Sequence, residues 1–338
     1  MRTALGGCLG AALLWVVGGG VATAADFYEG KTISIVSGAA PGGGHDLHSR
    51  LLASYLGKYI PGNPKIIVQN MPEGRGVAAA NHLYAIAKKD GTELGEFLND
   101  AVFAPIHRQD VAKYKSEEFN WLGAPASYRE DGWLLLVRST LGYKTIEDVR
   151  NAKTPLILGD QGTVLVPLVK EGLGANTKII PGYTGSNNTM LAFDRGEIDA
   201  IGLGYTIMAR RYPDWQSKSL FQIVAQLVRL TRLPGLAEVP TGRELARTPE
   251  DLALIKYSEL PLMLGYPFAA PPGVPADRVA LLRQAFKATM EDAEYRAALD
   301  KAQLEYSPKS GNELVADIRE ANSASPAVIA RFRQISGQ

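Results

Sequence analysis

Short apolar runs separated by amphipathic stretches constrain this chain more than any other feature. "TISIV" (32–36), "KIIVQN" (65–70), "WLLLV" (133–137), "LILG" (156–159) and "FQIVAQL" (221–227) have the length and branched or aromatic content of buried strands. Between them, "HDLHSRLLASYLGKY", "VAAANHLYAIAKK", "TIEDVRNA" and "NNTMLAFDRG" carry apolar residues at helical spacing and stop at Gly or Asp-Gly. Strand and helix in alternation predict an α/β architecture with largely parallel sheets. Near the end, residues 275–299 open with a first-turn proline and repeat Val279, Leu282 and Phe286 on one face, which predicts one long surface helix. The proline-rich "YPFAAPPGVP" before it reads as an extended strand and turn.

Residues 1–25 stand apart. Arg2, an apolar run of about 13 residues (9–21) and "ATAAD" have the three regions of a secretory signal peptide, with cleavage expected after Ala24 or Ala25. The run is too short to span a bilayer, which takes roughly 20 helical residues. The chain's one cysteine, Cys8, lies in this segment, so the remainder is expected to rely on its apolar core without disulfides, as two packed domains. With 36 basic and 35 acidic side chains, no basic surface for nucleic acid is expected. No later stretch is long and apolar enough to predict a membrane span. The sequence therefore predicts a soluble protein outside the cytoplasm.

A strand, a glycine-containing turn and a helix occur in order twice, at "ISIVSGAAPGGGHDLHSRLL" and at "LILGDQGTVLVPLVKEG". The first N–H groups of a helix lack intrahelical partners and carry roughly half a positive charge. Glycines let a ligand oxygen reach the main chain, and His45 or Asp46 can cap the first helix. Gly42, Gly43 and Gly44 can equally serve tight strand–helix packing. Two such turns favour an anion held between lobes, since ligands of open α/β sheets sit at the carboxyl ends of strands.

Other chemistries fit less well. Gly42 and Gly44 are followed by Leu47 where a dinucleotide fingerprint needs its third glycine, and neither turn continues into Gly-Lys-Ser/Thr. His45 and His48 could hold a metal with His82 or His107, although a solvated helix face or a cap explains them as well. No G-x-S-x-G elbow is present, so a secreted hydrolase would have to use His45 and Asp46 with a serine met only in space. No enzyme activity, cofactor or metal is expected. Asp160 and Glu73 would repel an anion if they faced it; Arg75, Arg129 and Arg195 could each pair with a distal acid group or simply face solvent.

Seven motifs in series, "ISIVSGAAPGGGHDLHSRLLASYL", "IPGNPKIIVQNMPEGRG", "KKDGTELG", "FNWLGAP", "KTIEDVRNAK", "GYTGSNNTMLAFDRGEIDA" and "FAAPPGVPADRV", resemble the substrate-binding proteins of tripartite tricarboxylate transporters, the Bug family. The likeness runs in order from about Phe27 to the C-terminus. It implies a two-lobed periplasmic binding protein, a type II-like clamshell with mostly parallel sheets and a two-segment hinge. Residues 26–128 plus 236–338 would form the first lobe and 129–235 the second. It also implies a small carboxylate ligand, delivered by a monomeric receptor to membrane permease subunits; a sensor partner in signalling is the alternative. By the same resemblance the ligand is held by Ala39, Ala40, Gly42, Gly43, Gly44, His45 and Asp46 from one lobe. Gly159, Gln161, Gly162, Thr163, Tyr183, Gly185, Ser186 and Tyr205 would act from the other.

Three departures bear on the ligand. His45 stands where many relatives have Thr or Tyr, "PEGRG" replaces "PGAGG", and Asp160 occupies a turn that is usually neutral. A ligand contact from His45 would make binding depend on pH between about 5 and 8.

Overall fold

The computed structural model describes residues 27–161, 163–183 and 185–337. The expected signal segment 1–25 and Gly162 lie outside the described residues, as does the side chain of Arg129. One sheet contains β1 (Thr32–Ser37), β2 (Lys65–Asn70), β3 (Glu93–Glu96), β4 (Asn120–Ala124), β10 (Phe268–Ala270) and β11 (Lys309–Ser310), in the order β11-β4-β10-β3-β1-β2. The other contains β5 (Trp133–Arg138), β6 (Leu156–Gly159), β7 (Thr177–Ile180), β8 (Ala200–Gly204) and β9 (Phe221–Leu227), in the order β7-β6-β8-β5-β9. Each sheet is the centre of one lobe.

Around the first sheet pack α1 (Gly44–Leu56), α2 (Val77–Ala85) and α3 (Asn99–His107). A short α4 (Tyr128–Asp131) follows β4, and α5 (Ile146–Arg150), α6 (Leu165–Glu171), α7 (Ser186–Arg195) and α8 (Tyr205–Arg211) belong to the second sheet. The chain then runs through α9 (Pro249–Leu264), α10 (Ala276–Glu291), α11 (Ala293–Lys301), α12 (Gly311–Asn322) and α13 (Pro326–Ser336). Among the described residues no helix is long and apolar enough to cross a membrane.

The five runs expected as strands are β1, β2, β5, β6 and β9, but the sheets are mixed rather than mostly parallel. Five of the nine strand pairings are antiparallel. Most strands still point the same way; the pairings turn antiparallel because β5, β10 and the two-residue β11 run in reverse. β5 and β10 are each the first strand after the chain passes from one sheet to the other. A chain that leaves one sheet at its carboxyl edge enters the next from that edge, and so runs against the strands that end there.

One apolar core joins the sheets. Phe97 and Trp121 at the first sheet, Leu165 and Val169 in α6, and Leu254, Ile255 and Leu260 in α9 belong to the same buried cluster. α9 is largely buried and packs against α3, α4, α6, α12 and α13.

The long helix expected over 275–299 is two helices. Asp292 breaks it, with an extended backbone (ψ 121°), and its carboxylate accepts from Glu294 N–H (2.8 Å), Tyr59 O–H (2.7 Å) and Lys58 Nζ (3.0 Å). Tertiary partners on the segment after α1 thus override local helix propensity. Tyr59 and Lys58 hold the Asp292 carboxyl down to about 2 from its usual value near 4. A lowered folded-state pKa contributes stability that is complete above the unfolded value and is lost as pH falls towards the folded one. Asp292→Ala is therefore expected to lower the melting temperature at pH 7, and circular dichroism should show the gap from the unchanged chain closing between about pH 4 and pH 2.

Candidate functional site

The first glycine turn leaves β1 at Ser37 and enters α1 at Gly44. Gly38 is needed for packing, because a Cβ there would come within 3.1 Å of Gly76 Cα in the next turn. The triplet is different. Gly42 has φ +87°, a left-handed value that favours glycine, and a Cβ on it would meet nothing within 4 Å; one on Gly43 would meet only Ala40 O at 3.9 Å. Gly44 alone has a close neighbour, Tyr266 Oη at 3.2 Å. Packing therefore does not explain Gly42 and Gly43. Both are exposed, and the N–H groups of Gly43, Gly44 and His45 have no protein acceptor among the described residues.

Asp46 shapes this turn from inside. It is 2% exposed and accepts from Gly42 N–H (2.8 Å), Arg50 Nε (2.9 Å) and Asn70 Nδ2 (2.7 Å). Asn70 also donates to Ala39 O (3.0 Å), so β2 is fastened to the turn. Burial raises the Asp46 pKa, but Arg50, the Gly42 N–H and Asn70 outweigh it and hold the carboxyl below the usual range. Its negative charge is thus matched locally. The helix cap itself is Gly43, without a side-chain hydrogen bond.

His45 is tied through Nδ1 to Glu96, at the end of β3. The other Glu96 oxygen accepts from Ser37 Oγ (2.7 Å), which in turn accepts from Ala39 N–H (3.3 Å). Beneath lies Tyr266, its ring 4.7 Å from that of His45 and 3.9 Å from that of His48. Tyr266 Oη donates to Glu305 (3.3 Å), and burial pushes the phenol far up. His48 is fully buried with neither ring nitrogen hydrogen-bonded; Glu305 is 3.9 Å away, and burial lowers the His48 pKa. Sequence reasoning missed Glu96, Tyr266 and Glu305. No local signal singled out Glu96, since β3 carries a glutamate at each end.

This arrangement does not make a hydrolytic triad. A serine nucleophile needs its hydroxyl on the imidazole, whereas Ser37 sits on the carboxylate and Asp46 is committed to Gly42. Nor do the histidines gather: His82 meets Glu93 (3.1 Å) and His107 meets Tyr257 (3.0 Å). Among the described residues no group of three His, Cys, Asp or Glu is spaced to hold a metal ion.

In the other lobe, the turns after β6 and β7 are zipped together by Asp160 N–H to Ile180 O (2.8 Å) and Tyr183 N–H to Asp160 O (3.3 Å). Gln161 is a strut, donating to Gly202 O (3.1 Å) and accepting from Thr189 Oγ1 (3.3 Å). Gly159 gives room to Ile198 and Tyr183, whose atoms a Cβ would meet at 2.8 and 3.3 Å. Gly185 caps α7, and Ser186 begins it. Tyr205 begins α8, whose Thr206 N–H is held by Asp131 (2.7 Å), a carboxyl raised by burial.

Two cavities lie where the lobes meet. Asp160 and Thr163 line one of about 410 Å3 together with Arg75, Asn99 and Asp100 from the first lobe. There Arg75 is ion-paired with Asp100. Tyr205 lines another of about 480 Å3 with Asp131, Arg210 and Glu305. Ala39, Ala40 and the glycine triplet line neither, and Arg195 pairs with Glu197 (3.7 Å) on an exposed surface.

No protein-family model matches the chain. A curated relative, the UPF0065 protein in the TAR-I ttuE-ttuC' intergenic region of Agrobacterium vitis, is 30% identical over 190 residues, covering 53% of this chain and 52% of the relative. The chain thus spans about half the length of the curated relative it matches. A TctC solute binding protein from Polaromonas superposes with a TM-score of 0.69 at 21% identity, over 92% of this chain and 99% of that one. The periplasmic binding protein BugD gives 0.57 at 18% over 91% and 98%, and MatC from Rhodopseudomonas palustris with bound malate gives 0.55 at 19% over 90% and 99%. The likeness to solute-binding proteins of this kind is borne out, and the fold is that of two-lobed periplasmic binding proteins.

Removing Asp46 takes a charged acceptor from Gly42 N–H, Arg50 and one Asn70 amide hydrogen, and a hydrogen bond to a charged group contributes about 1.5–3 kcal/mol. Asp46→Ala is expected to destabilise the protein by that amount in urea unfolding at pH 7. The difference should fade as pH falls from about 4, the unfolded carboxylate's range, towards the lower range of the folded Asp46 carboxyl.

Proposed function

We propose that this protein is a periplasmic receptor that captures a small carboxylate between its lobes and hands it to the membrane permease subunits of a tripartite tricarboxylate-type transporter, without transforming it. The lobes are 26–128 plus 236–338 and 129–235, and residues 1–25 are the export signal. The observation that carries the reading is the open turn at Gly42 and Gly43. Its main-chain N–H groups, at the start of the 13-residue helix α1, have no acceptor in the protein, and its glycines have no packing neighbour that requires them.

Each part of the site then has a task. Gly43 and Gly44 donate main-chain N–H groups to one carboxylate, with Ala39, Ala40 and Gly42 shaping the turn around it. His45, held by Glu96 through Nδ1, offers Nε2 to the same ligand. Asp46 and Gln161 act as scaffold. From the opposite lobe Gly159, Gly162 and Thr163 meet the ligand, while Tyr183, Gly185, Ser186 and Tyr205 complete the wall.

A charge-assisted hydrogen bond contributes about 1.5–3 kcal/mol, whereas micromolar affinity requires about 8 kcal/mol net of the entropy lost on association. Donors from one turn fall short of that, so closure of both lobes on the ligand is required. Hinge closure is the usual motion of such receptors. The chemistry agrees with two proteins that share the fold, one holding malate and another, also from Rhodopseudomonas palustris, holding adipate.

A thermal-shift screen of mono-, di- and tricarboxylates is expected to raise the melting temperature for some acid, by mass action on the folded state. A response to sugars or metal ions with none to any acid overturns the reading. Gly43→Val tests the contact itself. With φ −83° and ψ 171° the position accepts valine, and only Ala40 O lies nearby. The variant is expected to keep its unfolding midpoint while its affinity for the responding acid falls at least about tenfold, the loss of one charge-assisted hydrogen bond.

A further inference from the structure

We infer that the first lobe carries a second ligand site, outside the cleft, for an organic acid with an apolar body. A cavity of about 500 Å3 lies between α10 and the β4–β11 edge of the six-stranded sheet. Small-molecule sites occupy about 300–1,000 Å3, with mostly apolar walls and a few fixed polar groups. Leu122, Phe286 and Met290 form the apolar wall. The cavity shares Tyr306 with the one beside Tyr205, and no residue with either glycine turn.

Two guanidiniums stand at the rim, beside the Lys287, Glu291, Lys309, Ser310 and Asn312 side of the lining. Arg283 donates from Nε to Trp121 O (2.9 Å), and Arg296 from Nε to Met290 O (2.9 Å) while lying over the Tyr306 ring at 5.0 Å. These anchors fix the plane of each guanidinium and leave its terminal nitrogens for another acceptor. Among the described residues neither is ion-paired to a carboxylate. The other cations at the cavity are already matched, Lys287 by Glu291 (3.2 Å) and Lys309 by Asp317.

Two oriented, unmatched forks beside an apolar wall suit a carboxylate with a hydrocarbon body. The fork takes the carboxylate through paired hydrogen bonds, and the body leaves water for the cavity floored by the buried Leu122, Phe286 and Met290. A small polyacid has no apolar part to place there, and a neutral amphiphile leaves both guanidiniums unmatched. The ligand class is therefore distinct from that of the glycine turns.

The test is calorimetric titration of the full chain with octanoate, and with octanamide as the neutral match. Octanoate is expected to bind saturably at one equivalent, to the Gly43→Val variant as tightly as to the unchanged chain, and octanamide at least about tenfold more weakly. Arg283→Gln combined with Arg296→Gln is expected to weaken octanoate about tenfold or more. Independently, Asn312→Trp, an exposed position on the cavity wall, is expected to block it by filling the space. No saturable octanoate binding overturns the inference. So does octanoate binding lost in Gly43→Val but kept in the arginine pair, or binding unchanged in both the arginine pair and Asn312→Trp.

Discussion

The two sheets are joined through one largely buried helix, Pro249–Leu264. Leu254, Ile255, Leu260 and Leu264 are withdrawn from water in a cluster that reaches both sheets, while the buried Asp251 and Glu259 are matched by Arg247, Arg331 and Arg243. The lobes are consequently joined by a continuous core as well as by the chain crossings. Any opening or closing has to leave that core intact, since exposing a buried leucine costs about 1.5–3 kcal/mol.

At the strand ends the polar groups are satisfied from within. Asp46 gathers Gly42, Arg50 and Asn70; Glu96 gathers Ser37 and His45; Asp131 holds the start of α8. Buried carboxylates would oppose an anionic ligand if they were unmatched. Each here instead holds the donors that fix a turn, so the turn is rigid before a ligand arrives. For the receptor proposed above, donors already in position would lose little entropy on binding.

Local signals in the chain were sufficient for β1, β2, β5, β6 and β9, whose apolar runs are long enough to stand out. They were insufficient for β3, "ELGE", which is bounded by charges, and for β8, "AIGLG", whose apolar run is interrupted by glycine. In β8 the glycine is required by a partner far away in sequence, because a Cβ on Gly202 would fall 1.5 Å from an atom of the Trp133 ring. The continuous helical pattern over 275–299 misled for a similar reason, since the break at Asp292 is imposed by Tyr59 and Lys58.

The sequence by itself determined the α/β class, the two strand–turn–helix units and the glycine triplet, because these depend on neighbours a few residues apart and leave a periodic or local trace. Only the tertiary structure decided that β5 and β10 run in reverse, that Asp46 faces inward, and that His45 meets Glu96 and Tyr266 above Glu305. Those four residues come from separate segments. No spacing along the chain records a contact that exists only after the elements have packed.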